Sequence, residues 1–151
     1  HKRNILANRD KGKGNYEKWF SFGRTQSLEK IQNKLFFPKF SDRIPNYLRS
    51  NDENLLFYNG QAIIGHTDEE MTIIQKIMES RLFWYYIKST SKPYTSNYYS
   101  LNGTYIKNFG IPDFNNNDID FLINEENKTI IDNFLEDYYM INIEEENAEL
   151  I

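Results

Sequence analysis

The chain of 151 residues contains no cysteine. Disulfides, thiolate zinc sites and cysteine nucleophiles are excluded together, and the absence suits a reducing cytoplasm. Histidine is nearly absent: His1 opens the chain and His66 stands alone, where it is expected to cap or pack rather than catalyse. There are 7 glycines and 4 prolines. Gly12 and Gly14 lack both the GxxxxGK[ST] spacing and the strand–turn–helix context of a phosphate loop. No HExxH, nucleophile elbow or dinucleotide fingerprint occurs. Long apolar runs are missing too. The best candidate, MTIIQKIMESRLFWYYI, is interrupted by Lys76, Glu79 and Arg81, short of the ~20 apolar residues a bilayer span needs. No secretory signal pattern is read either. The expectation is a cytoplasmic domain without a membrane partner, a bound metal or a catalytic apparatus of its own.

One segment imitates a metal site. In DFNNNDIDFLINE, Asp113, Asn115 and Asn117 fall at the first, third and fifth positions of a calcium loop. The sixth position is Asp118 instead of glycine and the twelfth is Asn124 instead of a bidentate glutamate, so the geometry fails where it is strict. Asp118 and Asp120 are expected to be solvated carboxylates.

What the chain does have is aromatic side chains, 16% of its residues, and a steep charge gradient. Residues 1–50 carry 12 Lys/Arg against 4 Asp/Glu, a net +8. Residues 51–112 carry 5 against 6, and residues 113–151 carry 1 against 12. Such asymmetry marks either a polyanion-facing end or two ends that neutralise each other across the fold. The stretch WFSFGRTQ, Trp19–Gln26, concentrates the question by setting three aromatics around Gly23-Arg24 behind the lysine-rich KGKGNYEK. It reads as a packed corner with Arg24 stacked on a ring, or as a nucleic-acid surface.

The size fits one domain that buries roughly two-thirds of its unfolded surface. Residues 1–15 read as a loop or a lead-in strand, YEKWFSF as a strand, Ser27–Lys34 as a short helical turn, and KLFFPKF as an edge strand stopped by Pro38. Asn59-Gly60 between apolar runs is a hairpin signal. In TDEE, Thr67 is expected to cap a helix with Glu70 returning to its N–H. That helix then runs through Met71, Ile74, Ile77, Met78, Leu82 and Tyr85. A tyrosine-rich loop and a short strand closed by Pro112 follow. A last helix is expected from Asn124 to Met140, with Ile130, Ile131, Phe134, Leu135 and Tyr138 inward, and then a solvated acidic tail. Without a βαβ rhythm, the class is α+β: a mixed small sheet with a β-hairpin, one central capped helix and a C-terminal helix.

In order, a W-x-x-x-G-R-x-Q element, a strand with Pro38, a hairpin, a helix ending in ESRLFWYYIKSTS and the segment NGTYIKNFGIP resemble the TaqI-like C-terminal specificity domain. This is the target-recognition domain of bacterial adenine-N6 DNA methyltransferases and related restriction–modification enzymes. The matching residues are Trp19, Gly23, Arg24 and Gln26; Ser80, Leu82, Phe83 and Tyr86; and Tyr105, Ile106, Ile111 and Pro112. The likeness covers residues 16–114, with 1–15 as a leading segment or linker, 115–140 as an acidic helical extension and 141–151 as a tail. It implies a monomeric, non-catalytic piece of a longer enzyme whose catalytic methyltransferase domain, with its Asn-Pro-Pro-Tyr motif and S-adenosylmethionine, lies elsewhere in the same polypeptide. No cofactor is expected in this piece itself.

The resemblance also implies double-stranded DNA as the partner. Methylation needs the adenine out of the stack, at a cost of a few kcal/mol that grip on the duplex can offset. Phosphate contact is expected from Lys11, Lys13, Lys18, Lys39, Arg43 and Lys92. Base reading is expected from Arg24, Gln26, Tyr94 and Asn97, because Arg suits guanine and Asn or Gln suits adenine in the major groove. Arg24 and Gln26 also read as fold elements, since members that recognise different sequences share them. Two other readings stand beside this one: a specificity-subunit fragment of a multi-subunit restriction complex, and a protein-interaction module built on the tyrosine-rich loop.

Overall fold

The structure is a computed structural model that describes residues 2–8, 18, 33–55, 59–95 and 97–143. The chain divides into two compact units, His1–Lys30 and Ile31–Ile151. In the first, Arg3–Ala7 forms a five-residue helix, α1, where a loop or strand was expected. The expected YEKWFSF strand, Lys18 apart, and most of the Ser27–Lys34 turn lie outside the described residues. The end of that turn is extended, since Lys34 already opens the first strand.

The second unit is an α+β arrangement. Strands β1 (Lys34–Phe37), β2 (Phe40–Ser41), β3 (Leu48–Ser50) and β4 (Gln61–Ile63) precede helices α2 (Asp68–Met78) and α3 (Arg81–Thr90). Strand β5 (Tyr99–Ser100) and helices α4 (Gly103–Ile106), α5 (Asn116–Asn124) and α6 (Lys128–Tyr139) follow. One sheet has the order β3-β1-β4 and the other pairs β2 with β5. Among the described residues every pairing is antiparallel, not mixed, since even the connection through α2 and α3 brings β5 back antiparallel to β2.

KLFFPKF therefore does not form an edge. β1 is central, with Leu35 opposite Arg49 on one side and Ile63 on the other. Pro38 ends the strand just after its last paired residue, so its missing N–H removes no ladder bond. β4 begins directly after Asn59-Gly60 and pairs with β1. Of the first arm of the expected hairpin, Asn54 and Leu55 lie in no strand and residues 56–58 lie outside the described residues.

Thr67 caps α2 as the sequence indicates. Its Oγ1 accepts from the Glu70 N–H at 3.2 Å and its own N–H donates to Glu70 Oε2 at 2.9 Å. The helix does not run on to Tyr85. It stops at Met78, and Ser80 (φ −78°, ψ 157°) starts α3 by accepting from the Phe83 N–H at 3.1 Å while donating to the Ile77 carbonyl at 2.6 Å. The calcium-like segment is likewise a helix start. Asn115 Oδ1 accepts from the N–H groups of Asn117 and Asp118, and Asp118 returns to the Asn115 N–H at 3.2 Å. Asn102 opens α4 where a strand had been expected. α6 is capped by Asn127 and ends with Met140 in the left-handed region (φ 54°), a residue 92% exposed.

Two apolar clusters form the core. Leu35, Phe37, Met71, Met78, Phe83, Ile87 and Leu101 join the larger sheet to α2 and α3. Ile77, Leu82, Leu122, Ile131, Leu135 and Ile143 join the other faces of those helices to α5 and α6. Phe109 packs against both. On α6, Ile131 and Leu135 are buried as expected, but Ile130 faces outward.

Helix ends are also satisfied from neighbouring elements. Lys76 of α2 donates to the Ile123 and Glu125 carbonyls at the C-terminus of α5. Buried Asp132 of α6 accepts from the Arg81 N–H, the first of α3, at 2.8 Å. Both place charge where the helix macrodipole favours it. The Arg81 guanidinium closes the arrangement, 2.8 Å from Glu136 and 3.5 Å from Asp132.

Candidate nucleic-acid interface

Of the ten sequence-derived candidates, Lys11, Lys13, Arg24 and Gln26 lie outside the described residues. Lys18 is exposed at a bend in the first unit. The remaining five, Lys39, Arg43, Lys92, Tyr94 and Asn97, all fall in or beside the small β2–β5 sheet. The topology explains why. Pro38 ends β1, and the chain restarts at Lys39 into β2, where Phe40 opposes Ser100 and Ser41 opposes Tyr99. Pro93 bridges Tyr99 from the other side, so Lys92 and Tyr94 join the same ladder. The Tyr94 N–H donates to the Tyr98 carbonyl, and the Tyr98 N–H donates to Thr95, both at 2.8 Å. Asn97 sits in this tight turn at φ 72°, a conformation that asparagine adopts more readily than most residues.

The tip of this sheet carries a bare aromatic stack. Phe40 and Tyr94 have ring centroids 4.4 Å apart and planes inclined by 27°. They remain 39% and 66% exposed, so the pair shields itself only in part and leaves ring face and edge to solvent. The base of the sheet is fixed. The Leu101 N–H donates to the Lys39 carbonyl at 2.8 Å, and Gln61 Nε2 donates to the Leu101 carbonyl at 2.6 Å. Tyr99 packs edge-on against Trp84 of α3 at 5.8 Å. An exposed platform on a rigid base loses little conformational freedom when something stacks on it.

The cations are not equivalent. Arg43 forks onto its neighbour Asp42 through Nε at 2.9 Å and Nη2 at 3.0 Å. Its hydrogen bond to Asp42 raises the guanidinium pKa, and the same bond lowers that of the Asp42 carboxyl. The pair brings no net charge. Lys39 and Lys92 have no carboxylate at ion-pair distance among the described residues, so they supply the positive field here. Sequence reasoning missed Phe40 and Tyr98. Phe40 was hidden inside a run read as one strand, although Pro38 marks the break that frees it. Tyr98 lies close enough to Arg43 to act on it electrostatically.

Among the described residues no three His, Asp or Glu side chains come together as a metal site, and no helix is long and apolar enough to cross a membrane. No protein-family model matches the chain, and no curated protein matches it.

Proposed function

We propose that the chain is a DNA target-recognition domain, and that the β2–β5 edge is part of its duplex-facing surface. The observation that carries the reading is the exposed Phe40–Tyr94 stack flanked by Lys39 and Lys92. Lysines at an edge hold phosphates without sequence preference, while aromatic and amide side chains beyond them meet base edges. The site is then a cytoplasmic DNA-reading module whose partners are double-stranded DNA and an adenine-N6 methyltransferase domain of the same polypeptide. S-adenosylmethionine belongs to that domain. In this reading Asn97 presents its amide at the tip, Tyr94 stacks or donates a hydrogen bond, and Arg43 acts only where Asp42 is displaced.

The test is a fluorescence-anisotropy titration of the chain on duplex DNA across a range of salt. The expected affinity is weak, with Kd about 10⁻⁴ to 10⁻⁶ M at physiological salt. Lys39→Ala and Lys92→Ala should each lower the salt slope by about one, and Arg43→Ala should change it little. Joined to a catalytic half, Tyr94→Ala or Asn97→Ala should alter the preferred site, with about 1–3 kcal/mol of discrimination lost. Lysine variants that bind as the parent does at every salt concentration would overturn the assignment.

A further inference from the structure

Away from this edge, a cleft of about 460 Å³ opens between β4, α2 and the segment around α4. Its volume falls within the ~300–1,000 Å³ usual for small-ligand sites. Buried Ile77, Met78 and Phe83 line its depth, where the two core clusters meet. Ile64 and Ile111, 44% and 49% exposed, also line it. The lining has two polar side chains, His66 and Lys107. His66 Nδ1 lies 3.5 Å from Glu70, whose carboxylate also serves the α2 cap. Lys107 has no carboxylate at ion-pair distance among the described residues. An apolar cleft with one unneutralised ammonium suits a ligand with an apolar body and a single negative end.

We propose that this cleft binds a small apolar carboxylate, its hydrocarbon against Met78, Phe83 and Ile74 and its carboxylate on Lys107. The site is independent of the DNA reading.

Isoleucine-methyl NMR of the full chain tests it, with octanoate as probe and octanol as its uncharged counterpart. Octanoate should shift the methyls of Ile64, Ile74, Ile106 and Ile111. Lys107→Gln should weaken octanoate about tenfold, the loss of one charge-assisted contact, and leave octanol unchanged. Ile64→Trp, which fills the cleft from a partly exposed position, should abolish binding of both. Failure of octanoate to move those methyls overturns the proposal. So does octanoate affinity that Lys107→Gln leaves unchanged, or binding that survives Ile64→Trp.

Discussion

Lys34 shows how one side chain fixes a loop. By strand alternation it belongs beside Phe36, yet it is 4% exposed. Its Nζ donates to the carbonyls of Asp52 (3.1 Å), Glu53 (3.3 Å) and Leu55 (2.8 Å). The ammonium has three N–H donors, and each finds a backbone oxygen. Lys34→Met keeps the buried stem but removes all three bonds. The carbonyls stay near water, so the loss should be about 2–3 kcal/mol in urea unfolding, concentrated in residues 51–55. Tyr139 gives a pH-dependent counterpart. Its hydroxyl donates to the Gly110 carbonyl at 2.7 Å, and burial pushes the phenol up to about 12 from an ordinary value of 10. A folded value above the unfolded one means that the stabilisation is complete below pH about 10 and is lost as pH rises towards about 12. Tyr139→Phe, which cannot ionise, should be less stable at neutral pH but lose less melting temperature over that alkaline window.

Caps decide where the helices begin, and their removal should be felt at that scale. Thr67→Ala should cost about 1 kcal/mol. Ser80→Ala should cost more, about 2 kcal/mol, because this buried hydroxyl serves the end of α2 and the start of α3 at once. Thermal or urea unfolding of both variants checks the order. These elements also show what the sequence makes visible. A capping box spans four adjacent residues, so Thr67 and Glu70 disclose α2 without any tertiary information. Asn115 and Asp118 form the same device, but their carboxylate-and-amide chemistry is shared with calcium loops. The break at Ser80 is harder to see, because Ile77, Met78 and Leu82 are apolar on either side and the hydrophobic pattern does not lapse. Sheet order is not local at all. Pro38 bars β1 from continuing, but only the approach of β3 and β4 makes that strand central. For the same reason the candidate edge was half legible: Lys39, Lys92, Tyr94 and Asn97 stood out by type, whereas Phe40 became a surface ring only through the pairing of β2 with β5.

Across the whole molecule, charge and packing are divided differently. The acidic C-terminal third is not merely a repulsive surface, since Asp132 and Glu136 are buried and held by Arg81. Asp132→Ala leaves Glu136 paired with Arg81 but removes the acceptor of the Arg81 N–H at the start of α3, and should cost about 2 kcal/mol, a loss checked by urea unfolding. Packing is divided by the two apolar clusters, and Phe109 lies at their seam. It meets Phe83 at 5.2 Å, Tyr86 at 5.0 Å and Tyr139 at 5.6 Å. Helices α2 and α3 carry residues of both clusters, and this ring adds a further tie between them, so the two clusters behave as cooperative blocks coupled through those helices and through Phe109. In amide hydrogen exchange, α5 and α6 should open as one block and β1 with Ile87 of α3 as another, their opening energies close together while the ring is present. Phe109→Ala should separate those energies, so that the acidic block exchanges first while the sheet keeps its protection.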